Sequence, residues 1–338
     1  MLHCRRLWVG DVKKYNVFFI GALVVLLLVL AGSPVVAATP VRVGVIMSVG
    51  GLGDKSFNDA TYEGITAARK SSGCVIDVID PGDVAMLERS VEFMAQGGRY
   101  SLIVAVGTFA NDIIRKAARD YPKQKFALLD SVVVADNVVS VLFDEEEGSF
   151  FAGALAGLVT KSGKVGFLGG MVSPVIAAFQ RGFEHGVAFV NPKAEVLNRY
   201  AGQTPEGFNN PGLGHKLSAE MAEEGADVIY HASGRTGLGL IDLARRRELL
   251  VIGVDGDQST LAPGKIVGSV VKRLDIALDK VIRLVQTDGF IGKVITLGLK
   301  DGGVELRLSR FNKAQLSPVV LERLGEVESF VLHKVGQR

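Results

Sequence analysis

From Pro40 onward the chain alternates short runs of Val, Ile and Leu with longer stretches that are apolar on one side only. The runs predict strands at Val41–Met47, Val75–Ile79, Leu102–Val106, Phe126–Leu129 and Val138–Leu142, with helices at Asn58–Ser71, Val84–Gln96 and Asn111–Tyr121 between them. These strands are apolar throughout rather than at every second position, the mark of a sheet covered on both faces. Connections this short imply right-handed βαβ units and a doubly wound α/β domain.

The rhythm then restarts. Gly148–Thr160, Val175–Val190, Leu213–Glu224 and Leu238–Arg247 read as helices, and Val165–Gly169, Glu195–Tyr200, Val228–His231 and Leu250–Val254 as strands. Two similar parallel-sheet lobes with a cleft between them are the economical inference. The strand Lys265–Val271 and the helix Ile276–Gln286 are expected to return to the first lobe. That gives a first lobe of 41–143 plus about 257–288 and a second of 144–256 plus about 289–338. The apolar runs Val294–Leu299 and Val304–Leu306 carry no placement of their own.

Composition narrows the function. A chain of 338 residues has room for two domains, and 48% hydrophobic content with a net charge of +2 argues against disorder and nucleic-acid binding. Part of that apolar content lies in a leader: Arg5, Arg6, Lys13 and Lys14, then Val17 to Ala31, then Pro34 and Val36-Ala37-Ala38. Residues 1–38 thus read as a secretory signal cut after Ala38, or as an uncleaved anchor, although the run is shorter than the about 20 residues of a span. Without Cys4 of the leader only Cys74 remains, so no internal disulfide is expected and Cys74 reads as a small buried residue.

The densest chemical signal is Val43 to Asn58, where an apolar strand gives way to Gly50-Gly51-Leu52-Gly53-Asp54-Lys55-Ser56 and then to a helix. A ligand at such a strand end lies against backbone N–H groups and the positive end of the helix, and Phe57 adds a flat apolar surface. A phosphate loop is excluded because Asp54 separates the last Gly from Lys55-Ser56. Asp54 serves either a neutral polar ligand or the helix as its cap. The turn Gly234-Arg235-Thr236-Gly237-Leu238-Gly239 holds the same topological place in the second lobe, without dinucleotide-binding spacing.

Asp255 closes another strand, where a carboxylate can accept hydrogen bonds from vicinal hydroxyls or cap the next turn. Lys272 closes the following one and can reach a ligand or neutralise Asp255. Phe208 sits in the irregular polar segment Gln203–Pro211, where neither helix nor strand periodicity explains it. Set across a cleft from Phe57, it would complete a sandwich for a planar heterocycle, each face contributing about 0.5–1.5 kcal/mol beyond burial. Catalysis finds little support. The histidines lack metal-ligand spacing, there is no Gly-x-Ser-x-Gly elbow, and Asp144-Glu145-Glu146-Glu147 reads as negative charge at a helix start. The expectation is a non-enzymatic protein with no catalytic residue, metal or cofactor.

Together, Asp-Lys-Ser-Phe-Asn (54–58), Tyr-Pro-Lys-Gln-Lys-Phe (121–126), Glu-Gly-Ser-Phe (147–150), Gly-x-Thr-Gly (234–237), Ile-Gly-Val-Asp-x-Asp-Gln (252–258) and Val-Lys-Arg (271–273) are distinctive. From about residue 41 to 300 the chain resembles the basic membrane protein family, the substrate-binding components of nucleoside ABC importers. The resemblance implies a type I periplasmic-binding-protein fold with three crossovers, a hinge, and a nucleoside, purine by preference, in the interlobe cleft. Carried over by position, it implies stacking by Phe57 and Phe208, a ribose acceptor in Asp255, a cleft lysine in Lys272, polar contacts from Asn58 and the Gly234 backbone, and Thr108 in the pocket wall. Treponemal relatives carry Asp where this chain has Ser48, which alters one base or sugar contact. Relatives are typically lipoproteins, whereas no Cys stands directly after the apolar run here. The expected partners are a nucleoside and a permease in the cytoplasmic membrane, with no nucleic acid, the receptor itself being a monomer in the periplasm or cell envelope. Competing readings are a surface adhesin or antigen, and a receptor for a sugar on the same fold.

Overall fold

The computed structural model describes residues 41–312 and 316–335; the expected leader at 1–38 lies outside them. The chain runs β1 (Arg42–Ile46), α1 (Phe57–Ser72), β2 (Val75–Ile79), α2 (Val84–Gln96), β3 (Leu102–Val106), α3 (Asn111–Asp120), β4 (Phe126–Leu129) and β5 (Val138–Phe143). It continues with α4 (Glu145–Val159), β6 (Lys164–Met171), α5 (Pro174–Val190), β7 (Glu195–Gly202), α6 (Pro211–Glu223), β8 (Val228–Ala232), α7 (Gly237–Arg246), β9 (Leu250–Asp255) and β10 (Ile266–Lys272). Last come α8 (Leu274–Gln286), β11 (Lys293–Leu297), β12 (Val304–Leu308) and α9 (Pro318–Val335).

Two six-stranded sheets result, ordered β11-β5-β4-β3-β1-β2 and β12-β10-β9-β8-β6-β7. All pairings are parallel except β10 with β12. The inner strands of the first sheet feed two cores. Val43, Val45 and Val104 meet Ile65 of α1 and Leu274 and Leu278 of α8, while Ile46, Ile103 and Leu128 meet Leu87 and Val91 of α2 and Ile114 of α3. That double coverage is why the strands read as unbroken apolar runs. In the second lobe α4 and α5 touch backbone to backbone: a Cβ on Gly153 would strike the Phe183 carbonyl, which explains the small-residue character of α4.

The chain passes between the sheets at Asp144, at Arg273 and through 298–303. One expectation is corrected here. The segment Lys265–Val271 does not return to the first lobe: β10 pairs with β9 (Val270 beside Val254) and with β12 (Val270 beside Leu306), so the crossing follows that strand. The helix after it does cross, and α8 packs on α1. β11 then joins the first sheet beside β5, with Val294 against Ser140. An apolar run carries the same pattern whichever sheet it enters, so its sequence could not assign it.

Candidate functional site

The carboxyl ends of both sheets face one cavity of about 360 Å³. Every residue singled out from the sequence lines it: Ser48, Asp54, Phe57, Asn58 and Thr108 from the first lobe, and Phe208, Gly234, Asp255 and Lys272 from the second.

The loop after β1 is built around Asp54. Its carboxylate accepts from the backbone N–H groups of Ser56 (2.9 Å), Asn58 (2.9 Å) and Asp59 (3.1 Å), and from Nδ2 of Asn58 (3.2 Å). With its acceptor sites engaged this way, Asp54 shapes the loop and caps α1. Ser56, the residue before the helix, instead reaches across the cleft, and its hydroxyl donates to Oδ2 of Asp255.

Phe57 packs on the first lobe's core and Phe208 on the second's, and both are half-buried cavity walls. The Phe208 ring packs close to Gly170. A Cβ on Gly170 would strike the ring, so that glycine is needed to seat it, and a Cβ on Gly234, already at φ +56°, would stand only 3.2 Å from the Phe208 carbonyl oxygen.

At the crossovers a buried amine gathers one carboxylate from each lobe. Nζ of Lys272 pairs with Asp130 (2.7 Å) and Glu145 (2.9 Å), and it stands 5.5 Å from the Phe57 ring centroid and 5.1 Å from that of Phe179. Asp130 follows β4 and Asp255 ends β9, and both adopt φ +65°. That left-handed turn is tolerated better by Asp than by most side chains. Burial pushes Asp255 up to about 6, against the opposing pull of Lys272 and the Ser56 hydroxyl. Glu145 rises to about 7, again chiefly by burial. Burial alone would lower Lys272, but Asp130, Glu145 and Asp255 hold it above the ordinary lysine value.

Further hydrogen bonds tie the lobes together. Nε2 of Gln258 donates to the Lys55 carbonyl (2.7 Å), while its Oε1 meets Nε2 of His231 (2.9 Å). His231 is fully buried, which lowers its pKa to about 4 and keeps it neutral at physiological pH. Nη2 of Arg235 donates to the Leu52 carbonyl (3.1 Å).

Sequence reasoning missed Asp130, Glu145 and Phe179. Asp130 directly follows an apolar strand, as Asp255 does, so a signal was present. The acidic run before α4 was read as one feature, yet its members diverge: Asp144 caps the helix through the Glu147 N–H (3.0 Å), Glu146 pairs with Arg181 (3.2 Å), and Glu145 turns inward to Lys272. Among the described residues no cluster of three or more His, Cys, Asp or Glu is arranged to hold a metal ion, and no helix is long and apolar enough to cross a membrane.

Comparison with known proteins matches this architecture. The family of PnrA-like ABC transporter substrate-binding proteins, Bmp, matches residues 41–335. An uncharacterized lipoprotein of Pyrococcus abyssi is 33% identical over 282 residues, covering 79% of this chain and 69% of its own. Basic membrane protein D of Borreliella burgdorferi is 30% identical over 286 residues, covering 80% of each chain. The crystal structure of an ABC transporter solute-binding protein from Aeropyrum pernix superimposes with a TM-score of 0.72 at 32% identity, over 79% of this chain and 76% of that one. With its two parallel-sheet lobes around a ligand-sized cleft, the chain belongs to the PnrA-like family of ABC transporter substrate-binding proteins.

Proposed function

We propose that the protein is the extracytoplasmic receptor of an ABC importer and captures a nucleoside between its lobes. One observation carries the reading: Phe57 and Phe208, from opposite lobes, line the same cavity as the Asp255 carboxylate. Two rings suit the faces of a flat base, and a carboxylate suits the vicinal hydroxyls of its ribose. A volume of about 360 Å³ falls within the range of small-molecule sites, about 300–1,000 Å³. In this reading the leader directs export, the receptor works as a monomer, and a permease in the cytoplasmic membrane accepts its closed form.

Mass spectrometry of small molecules co-purifying with the natively folded protein tests the ligand class directly; a sugar or amino acid in place of a nucleoside would overturn it. Phe57→Ala is expected to weaken nucleoside binding at least tenfold in calorimetry, because one face of the base loses its partner.

Binding should also depend on pH. Asp255 accepts two hydroxyl donors only when ionised, and its pKa in the unliganded protein stands at about 6. Ligand therefore expels a proton below that pH, and affinity should fall about tenfold for each further pH unit. Isothermal titration between pH 5 and 7.5 measures this slope; a flat profile would remove Asp255 from the hydroxyl contact.

A further inference from the structure

Three hydrogen bonds between the lobes end on one short segment of the first, Leu52 to Ser56, in the loop between β1 and α1. Arg235 donates to the Leu52 carbonyl, Gln258 donates to the Lys55 carbonyl, and Asp255 accepts from the Ser56 hydroxyl.

The segment is shaped to offer those groups. Its N–H groups turn onto acids of their own lobe: Leu52 donates to Asp80 (3.2 Å), Gly53 and Lys55 to Asp59 (2.6 and 3.2 Å), and Ser56 to Asp54 (2.9 Å). Nζ of Lys55 closes on the same Asp59 (3.2 Å). Lys55 itself is held at φ +54°, where a residue with a side chain is strained. With the donors spent and the backbone fixed, the carbonyls of Leu52 and Lys55 and the Ser56 hydroxyl face the second lobe.

The facing side is equally directed. Oε1 of Gln258 accepts from the Val254 N–H (3.2 Å), which fixes that atom as the amide oxygen and Nε2 as the donor toward Lys55. An oxygen opposite Nε2 of His231 (2.9 Å) requires the proton on that nitrogen, so Nδ1 of the neutral ring accepts from the Ser233 hydroxyl (3.2 Å). Each donor therefore points the same way, from Ser233 through His231 and Gln258 to the first lobe's Lys55, and bonds in such a chain strengthen one another. Gly237 leaves room for the imidazole and Gly253 for the Gln258 amide; a Cβ on either would strike it. His231 and Gln258 are both buried, and neither belongs to the cavity walls.

We propose that this relay is a closure latch, in which Gln258, oriented by His231, holds the lobes together over the cavity by gripping the 52–56 segment without touching the ligand. His231 and Gln258 are thus positioning residues for capture. The latch raises the closed population of the free protein and adds the same factor to the retention of every ligand the cleft encloses. It goes beyond the nucleoside reading and does not rest on it.

Small-angle X-ray scattering of the full chain, freed of ligand by dialysis, tests this against Gln258→Glu and Asp59→Ala. Gln258→Glu keeps an oxygen for Val254 and His231 but sets a second oxygen against the Lys55 carbonyl; Asp59→Ala loosens the segment from its own side. Both variants are expected to enlarge the radius of gyration of the ligand-free protein. In calorimetry each should weaken inosine and adenosine by one common factor, about tenfold for Gln258→Glu. A radius unchanged in both variants would overturn the latch, even with lowered melting temperatures, and would leave the relay a structural feature only. A loss confined to one nucleoside would overturn it too, by placing Gln258 against the ligand. Should Gln258→Glu fail to fold, Asp59→Ala decides alone, since Asp59 is only half-buried. A native protein that binds neither nucleoside would remove the nucleoside reading, and the scattering would still decide the latch.

Discussion

Asp255→Asn is expected to fold more stably than the native protein yet bind nucleoside at least tenfold more weakly. Burial raises the Asp255 carboxyl from its ordinary value of 3.8 to about 6, so at neutral pH the folded state holds an ion that is easier to hold unfolded. A shift of that size costs the fold about 3 kcal/mol above pH 6. The sign is fixed: folded-state stability from this group is complete below 3.8 and is lost as pH rises through about 6. Asn removes the penalty, can still accept from the Ser56 hydroxyl, and suits φ +65°. Its amide cannot accept two charge-assisted hydroxyl bonds, each contributing roughly 1.5–3 kcal/mol, so affinity falls. Thermal melts should show the gain at pH 7.5 and its disappearance below about pH 4. A lower melting temperature at pH 7.5 would mean that the ionised carboxylate supports the fold rather than straining it.

Lys272→Met has the opposite character and the largest effect on stability. Its amine neutralises Asp130 and Glu145 directly and acts on Asp255 through the field. Removing one partner from a buried ionic cluster costs about 3–5 kcal/mol, because the charges left behind cannot be rehydrated. The variant should melt far below the native protein at pH 7.5. Without the amine the Glu145 and Asp255 carboxyls climb further, so the lost stability should return as pH falls toward 5 and these acids take up protons. Nucleoside affinity should fall as well, since Lys272 also stands over the Phe57 ring. An unchanged melting temperature at neutral pH would show that water reaches the cluster.

The alternation of apolar runs and amphipathic stretches made the βα units of both lobes legible, because strands covered on two faces must be apolar at every position. The same uniformity hid which sheet received β10 and β11, since nothing in Ile266–Lys272 or Lys293–Leu297 encodes which strand lies beside it, and the partner of β11 is β5, more than a hundred residues earlier. Among the site residues, those at strand ends were readable from position: Phe57, Asp255 and Lys272 each follow or close an apolar run. Phe208 was readable as an aromatic with no periodic reason to be there. Asp54 was open between ligand and cap, and its bonds to Ser56, Asn58 and Asp59 show it building the loop. Glu145 was not legible. It is one of four adjacent acids, and only the approach of Lys272 from the end of β10 separates it from Glu146. Phe179 on α5 has the spacing of a core residue and faces both core and cavity.

The crossovers have a consequence for biogenesis. α8 supplies Leu274, Leu278 and Ile282 to the core beneath β1, and β11 covers the outer edge of β5. A chain emerging amino end first, from a ribosome or through a translocon, therefore leaves its opening lobe unfinished until nearly three hundred residues have appeared. Neither wall of the cleft can be complete much before the other, and a half-made receptor has nothing with which to seize cargo on the wrong side of the membrane.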